Sequence, residues 1–396
     1  MRKPNIVVIV IDAFRPDHMS LFGYEKETDA NLKKIARGGI LFTNHFSVAN
    51  GTAPAVTTIF SGLLPSTHGV IHQFPYTKPE EYARAENIKF WLPSFLKGKG
   101  YETMCFDWLG EWFTRGFDYY KENEEEIEGL FAPTKMTVDL AISRIKNTKE
   151  PFLAFLHLWD THFPFPNTPY KSGKTDESDK ILDGIKDEKY REYVKKKMDA
   201  AKLYSVQDVI NKYDDTIKII DREIGRLYTF LKQDGLLDDT ILVILGDHGD
   251  VIHEHGIYFS TCGLFDGSIR APLIMRLPSI NGKVIDGMVQ NTDIVPTILD
   301  FMGEKTVALD GKSLLPLIKD GRRVRNEVLI FDAMANDVRA VRTYDRKLIL
   351  AKDSFCNLCK TSHHHDTEEY DLLKDPEEDK NVFSGKSALL KYLKTD

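Results

Sequence analysis

The sequence predicts an α/β fold in which a large, mostly parallel sheet lies between helices, followed by a small antiparallel subdomain. Three observations predict it. The runs Ile6–Ile11, Phe152–Leu158 and Thr240–Leu245 are apolar without alternation, as in strands buried on both faces of a parallel sheet. Segments of helical period separate them, so strands and helices alternate. From about Val324 the texture changes to short strands joined by turns.

The length of 396 residues suffices for one large core and a small appended unit, placed here at residues 1–323 and 324–396. A net charge of -7 leaves no basic footprint, so a nucleic-acid polymer is not an expected partner. No apolar run near the start has the length of a membrane span or a signal segment. Neither a membrane nor export is expected, and the cytoplasm is the expected compartment. Of the four cysteines, Cys105 and Cys262 stand alone in the sequence, which argues against a disulfide framework.

Taken in order, residues 5–12 form a strand ending in Asp12, and Asp29 to Arg37 a helix closed by Gly38-Gly39. A strand-like run, Ile40 to Thr43, leads to Asn50-Gly51-Thr52-Ala53-Pro54, a helix start with a hydroxyl residue at its edge and proline in its first turn. Residues 90–98 read as a helix and Glu102 to Phe106 as a short strand. The acidic run Glu122 to Glu128 reads as a solvated face. The strand ending at Trp159 runs into Asp160-Thr161-His162. The charged span Lys171 to Lys202 reads as an exposed excursion, a lid or helical hairpin, with solvated lysines. Apolar positions Val209, Tyr213, Ile217, Ile220, Ile224 and Leu227 make residues 206–232 a long amphipathic helix. A strand over residues 240–245 ends in Asp247-His248-Gly249, and residues 272–277 form another. Short strands are expected at 327–331, 338–343 and 347–351, and near Tyr370.

Asp12, Asp160, His162, Asp247 and His248 thus all follow buried strands, where ligands gather in open α/β sheets. Their carboxylates and imidazoles suit one or two divalent ions: zinc, manganese, magnesium or calcium. A helix N-terminus favours a tetrahedral oxyanion, so Thr52 stands either as a plain N-cap or as a nucleophile whose hydroxyl a nearby cation would acidify. Cys356-x-x-Cys359 with His363-His364-His365 reads as a solvated loop or, less plainly, a metal clip.

These motifs carry a resemblance. Asp12, Thr52-x-Pro54, Ser61-Gly62-Leu63-Leu64-Pro65-Ser66-Thr67-His68-Gly69, Asp160-Thr-His162-x-Pro164, Tyr213-Asp-Asp-x-Ile217, Asp247-His248-Gly249, Glu254-His255-Gly256 and Tyr370-Asp371-Leu372 occur together in the order seen in the alkaline phosphatase/sulfatase superfamily. The resemblance spans residue 4 to about 382. It implies an alkaline phosphatase-like sandwich with a mixed sheet and a four-stranded C-terminal subdomain. By position it also implies that Asp12, Thr52, Asp247 and His248 hold a divalent metal, with Thr52 as nucleophile and His162 near the substrate. A second metal would fall to Asp160, His162 and His255. Asn50 and His68 border the expected substrate pocket, with a structural role after its turn as the equal reading for His68.

Two departures narrow the expectation. Sulfatases carry Cys or Ser where Thr52 stands, oxidised to formylglycine, and Arg where Val56 stands. The methyl group on the threonine β-carbon bars an aldehyde, so no formylglycine is expected. Thr-x-Pro is instead similar to nucleotide pyrophosphatase/phosphodiesterases. Thr261 and Cys262 also supply no cation where relatives place His or Lys. The sequence therefore predicts hydrolysis of a small anionic phosphate ester, diesters slightly favoured, through a phospho-Thr52 intermediate. The alternatives are a sulfate-ester or phosphonate hydrolase without formylglycine, and a degenerate anion binder.

Overall fold

The computed structural model describes residues 3–121, 132–172, 180–280, 282–305, 308–334, 336–352, 355–358, 362 and 367–393. Eight strands form the large sheet: β1 (Asn5–Ile11), β2 (Ile40–Phe46), β3 (Glu102–Phe106), β4 (Tyr119–Lys121), β5 (Phe152–Leu158), β6 (Thr240–Gly246), β7 (Leu273–Arg276) and β8 (Lys283–Gln290). Their spatial order is β4-β3-β5-β1-β6-β7-β2-β8. All pairings are parallel except those of β7 with β6 and with β2. A separate antiparallel sheet is built from β9 (Glu327–Phe331), β10 (Val338–Thr343), β11 (Arg346–Ala351) and β12 (Thr367–Asp371), in the order β12-β11-β10-β9.

The central strand β1 explains the unbroken apolar pattern. Val8 pairs in register with Phe155 of β5 and with Val243 of β6, and every residue of the three strands is buried. Alternate side chains enter two cores on opposite faces of the sheet. Val7, Ile9 and Ile11 join one, Ile6, Val8 and Val10 the other. Each such burial contributes on the order of 1.5–3 kcal/mol.

The long helix Val206–Gln233 buries the expected stripe, and Ser205 caps it by accepting the Asp208 N–H at 3.0 Å. Its polar residues clamp the first segment of the chain. Tyr213 donates its hydroxyl to the Ala13 carbonyl at 2.7 Å and accepts the Arg15 N–H at 2.8 Å. Asp221 accepts the Asn31 and Leu32 N–H groups at the start of the helix Ala30–Gly38.

The strand at 272–277 is β7, which runs antiparallel to both of its neighbours and makes the sheet mixed as expected. Two expectations need correction. The span expected as an exposed excursion carries a helix, Glu188–Ala201, whose Tyr190, Val194, Met198 and Ala201 are buried in the main core. Its lysine-rich outer face hides that four-residue stripe. Cys356, read as part of a solvated loop, is instead buried, and its sulfur lies 3.0 Å from that of the buried Cys262. Cys359, His363, His364, His365 and the acidic run at 122–128 lie outside the described residues. Among the described residues, no helix is long and apolar enough to cross a membrane.

Candidate active site

The strands β5, β1 and β6 lie side by side, so their carboxyl ends converge. Asp12 follows β1 and is fixed there by its N–H, which donates to the Leu158 carbonyl at 2.9 Å. Asp247 follows β6, and its N–H donates to the Ile11 carbonyl at 3.2 Å. The turn after it is tight: a Cβ on Gly249 would lie 2.1 Å from the Gly267 carbonyl oxygen, so only glycine fits.

Thr52 is the first residue of the helix Thr52–Ser61, with Gly51 as its extended N-cap. A Cβ on Gly51 would meet that of Ala333 at 2.7 Å. The Thr52 side chain is therefore not the cap. Its hydroxyl instead donates to Asp12 Oδ1 at 3.1 Å and lies 3.2 Å from His248 Nε2. The orphan Ala53 N–H is capped by Gln73 Oε1 at 2.6 Å.

Asp12, Thr52, Asp247 and His248 thus meet in one buried cluster. His248 Nε2 lies 3.5 Å from Asp12 Oδ1 and 3.5 Å from Asp247 Oδ2. His248 Nδ1 lies 2.7 Å from the Gly249 carbonyl, which can only accept, so Nδ1 carries the proton and Nε2 presents its lone pair to the cluster. Asp247 Oδ1 accepts the Ala13 and His248 N–H groups. Among the described residues, Asp12 Oδ2 and Asp247 Oδ2 are buried and accept no hydrogen bond. Burial, reinforced by the charge of Asp247, pushes the Asp12 carboxyl well above the usual carboxylate range. Burial opposes protonation of His248, but Asp247 and Asp12 outweigh it and raise its pKa. Two buried carboxylates with unused oxygens beside an imidazole lone pair fit a divalent cation.

A cavity of about 390 Å³ opens above the cluster, lined by Asp12, Thr52, His248, His162, Lys197 and Asp250 among polar residues and by Trp108, Trp159, Phe163 and Phe259 among aromatic ones. The His162 Nδ1–H donates to the Phe163 carbonyl at 2.6 Å, and burial lowers its pKa to about 4, so the ring is neutral at pH 7. Lys197 comes from the helix Glu188–Ala201. Its ammonium donates to the Phe259 carbonyl and lies 5.1 Å from the Phe163 ring centre.

Four expected site residues do not join this arrangement. Asp160 caps the helix Thr134–Lys146 instead: one oxygen accepts the Thr134 N–H at 3.0 Å and the other the Asn167 amide at 2.5 Å. His255 stacks on Phe265 at 3.8 Å beside a separate cavity lined by Arg15 and Glu254. The second metal set of Asp160, His162 and His255 is therefore not assembled. His68 lies beneath the helix, beside Thr58 Oγ1 at 3.1 Å and accepting the Val70 N–H, its pKa lowered by burial to about 3. Asn50 spends its amide on the carbonyls of Thr261 and Gly263 and on Asp332, and accepts the Ala333 N–H. It ties the loop at 261–263 to the C-terminal sheet and lies outside the cavity lining.

The structure also adds residues. Asp12, His157 and Asp247 present ligand atoms all within 4.8 Å of one another. His157 sits inside β5, and the signal for it was a lone imidazole in a run otherwise apolar on both faces. Lys197 carried no such signal among its neighbouring lysines.

Against known families, the family described as Sulfatase matches residues 4–304. The chain belongs to the sulfatase family. A second family description, N-sulphoglucosamine sulphohydrolase, C-terminal, matches residues 253–394. An ulvan-active sulfatase of Formosa agariphila is 25% identical over 80% of this chain, which spans 65% of that relative's length. An N-acetylglucosamine-6-O-sulfatase of Bacteroides thetaiotaomicron is 24% identical, with 99% of this chain and 85% of the relative covered. The phosphonate monoester hydrolase of Agrobacterium radiobacter has the same fold, with a TM-score of 0.71 at 19% identity, covering 98% and 93% of the two chains. This sulfatase-family protein is accordingly an ester hydrolase with a buried Asp/His site of the kind that holds a metal ion.

Proposed function

We propose that this protein hydrolyses monoanionic esters of sulfuric or phosphonic acids, with Thr52 as nucleophile and without formylglycine. The observation that carries the reading is the Thr52 hydroxyl 3.1 Å from Asp12 Oδ1 and 3.2 Å from His248 Nε2, at a helix N-terminus under an open cavity. Relatives named for sulfate esters and for phosphonate monoesters support it. Both ester classes carry one negative charge near neutral pH.

Asp12, Asp247, His248 and Thr52 would hold a divalent ion, for which zinc, manganese, magnesium and calcium are the candidates. Bound there, its charge stabilises the deprotonated Thr52 oxygen. The chain's own groups do the rest. Before the hydroxyl proton is lost, Asp12 Oδ1 accepts the Thr52 hydroxyl and holds its oxygen at the cavity lining. Attack of the deprotonated Thr52 oxygen on sulfur or phosphorus forms a Thr52 ester and breaks the bond to the leaving oxygen, which departs as an alkoxide and takes its proton from solvent in the open cavity. Neutral His162 is suited to take a proton from the water that reopens that ester. Lys197 offsets the charge of the transferred group, a task that neither Val56 nor Thr261 and Cys262 can perform. The aromatic walls receive the alcohol portion.

Phosphate diesters, favoured in the sequence reading, are the second candidate. They bear the same single charge, and a phospho-threonine is opened by water attack at phosphorus.

The test is a panel of nitrophenyl esters, namely sulfate, phenylphosphonate, bis-nitrophenyl phosphate and phosphate monoester, with Mn²⁺ or Zn²⁺. Turnover of the monoanions, lost by at least ~10³-fold in Thr52→Ala, is expected. Turnover confined to the dianionic monophosphate, or undiminished in Thr52→Ala, would sink the reading. Metal uptake with no turnover of any ester would make the protein an anion binder.

A further inference from the structure

We propose that His157, held by Asp107, is a further ligand of the metal centre, giving the ion two imidazoles and selecting zinc or manganese over calcium. This rests on the metal site proposed above and goes beyond its four expected residues. The His157 Nδ1–H donates to Asp107 Oδ1 at 3.0 Å, which places the lone pair on Nε2. Among the described residues, that Nε2 is buried and has no hydrogen-bond partner. A ring nitrogen of His157 lies within 4.8 Å of carboxylate oxygens of both Asp12 and Asp247. Donors of one tetrahedral zinc ion, at bonds of about 2.0–2.2 Å, stand about 3.3–3.6 Å apart, so the three side chains draw in by up to about 1.5 Å to share it.

The sheet explains why these residues align. Asp107 directly follows β3, His157 is the sixth residue of β5, and Asp12 directly follows β1, three adjacent strands. His157 pairs in register with Val10, two residues before Asp12. A line of side chains therefore crosses the carboxyl edge of the sheet, from Asp107 through His157 to the cluster. The Trp108 N–H donates to Asp107 Oδ1 at 2.7 Å and fixes the carboxylate. The Trp159 ring, 4.3 Å from that of His157, walls the imidazole on one side.

The bland alternative is a core histidine with both nitrogens satisfied. Burial of an unpaired ring nitrogen costs about 1–3 kcal/mol, and no group in the apolar strand offsets it. A carboxylate on the far nitrogen of a buried histidine is the arrangement that orients metal-binding imidazoles and strengthens their basicity. Two imidazoles beside two carboxylates suit borderline ions, whereas calcium prefers oxygen donors alone.

The experiment measures zinc content and affinity, and counts imidazoles by X-ray absorption spectroscopy on the full chain loaded with zinc. Two imidazoles are expected in the wild type, unchanged in His162→Ala, and zinc should resist displacement by excess calcium. His157→Phe should show one imidazole and an affinity at least ~10-fold lower, and Asp107→Asn should keep two while losing ~10–100-fold. One imidazole in the zinc-loaded wild type overturns the role of His157 while leaving the metal site standing. So does a count that falls in His162→Ala. A wild type that takes up no ion refutes both. Should His157→Phe fail to fold, the wild-type and His162→Ala counts decide alone.

Discussion

The protein contains two buried charge clusters that were built to opposite ends. At the edge of the C-terminal sheet, Lys347 lies fully buried with its ammonium 2.6 Å from Asp266 and 2.5 Å from Glu378. Arg342 adds a second cation on Asp266, and Glu378 accepts the Asp266 N–H. Burial alone would raise the Asp266 pKa, but Lys347 and Arg342 drive it well below the usual range, while burial keeps that of the deeper Glu378 raised despite Lys347. At the ends of β1 and β6, Asp12 and Asp247 are as deeply buried, but the group beside them is the His248 imidazole rather than a lysine or arginine, and the Asp12 pKa goes up. A closed set of charges holds a structure together. An excess of one sign, at the same depth, marks a place that binds something.

The largest effect should come from opening the closed cluster. Lys347→Met strands the buried Glu378 carboxylate, while Asp266 keeps Arg342, and should cost about 3–5 kcal/mol in urea unfolding, with little change in turnover per folded molecule. A smaller loss than ~1 kcal/mol would mean that the first cluster is no clamp. Next, metal should stabilise the open cluster only. At a concentration a hundred times its Kd, zinc should add about 2.7 kcal/mol to wild-type stability, read as a raised Tm. Asp12→Asn should abolish that gain while raising the stability of the metal-free protein, whereas Asp266→Asn should lower it.

A third kind of buried group, His68, sharpens the contrast because it is neutral. Its folded pKa of about 3 lies below the unfolded value near 6.5. The stabilisation that this depression reflects is full above pH 6.5 and fades as pH falls towards 3. Wild-type stability relative to His68→Gln should therefore shrink by about 2 kcal/mol between pH 7 and pH 5. A difference independent of pH would mean that the imidazole is already charged or exposed. The smallest effect concerns the cavity's cation: Lys197→Met should raise KM for a monoanionic ester about tenfold and leave Tm within a degree or two. An unchanged KM would remove Lys197 from substrate recognition.

Much of this was legible in advance. The strands β1, β5 and β6 are read from unbroken apolar runs, and Asp12, Asp247 and His248 from their places just after them. Thr52 was found by its helix start, although Gly51 turned out to be the cap. Other parts were hidden for identifiable reasons. In β8, exposed Lys283, Val284 and Asp286 and the glycine Gly287 blur the strand pattern at a sheet edge. Asp160 has the same local signature as Asp12, yet it caps a helix, because the capped residue, Thr134, is 26 positions away. Cys262 and Cys356, apart in sequence, meet across 94 residues.

The order of residues alone determined the α/β class, the buried strands and the chemical types gathered at their ends, since periodicity and side-chain chemistry are local properties. Which acids share a cation and which end a helix was decided only by tertiary structure. So were the inward turn of His157 and the arrival of Lys197 over the cavity from a distant helix. Metal-ligand sets and charge pairs depend on distances of a few ångströms between residues far apart along the chain, and no local pattern encodes those.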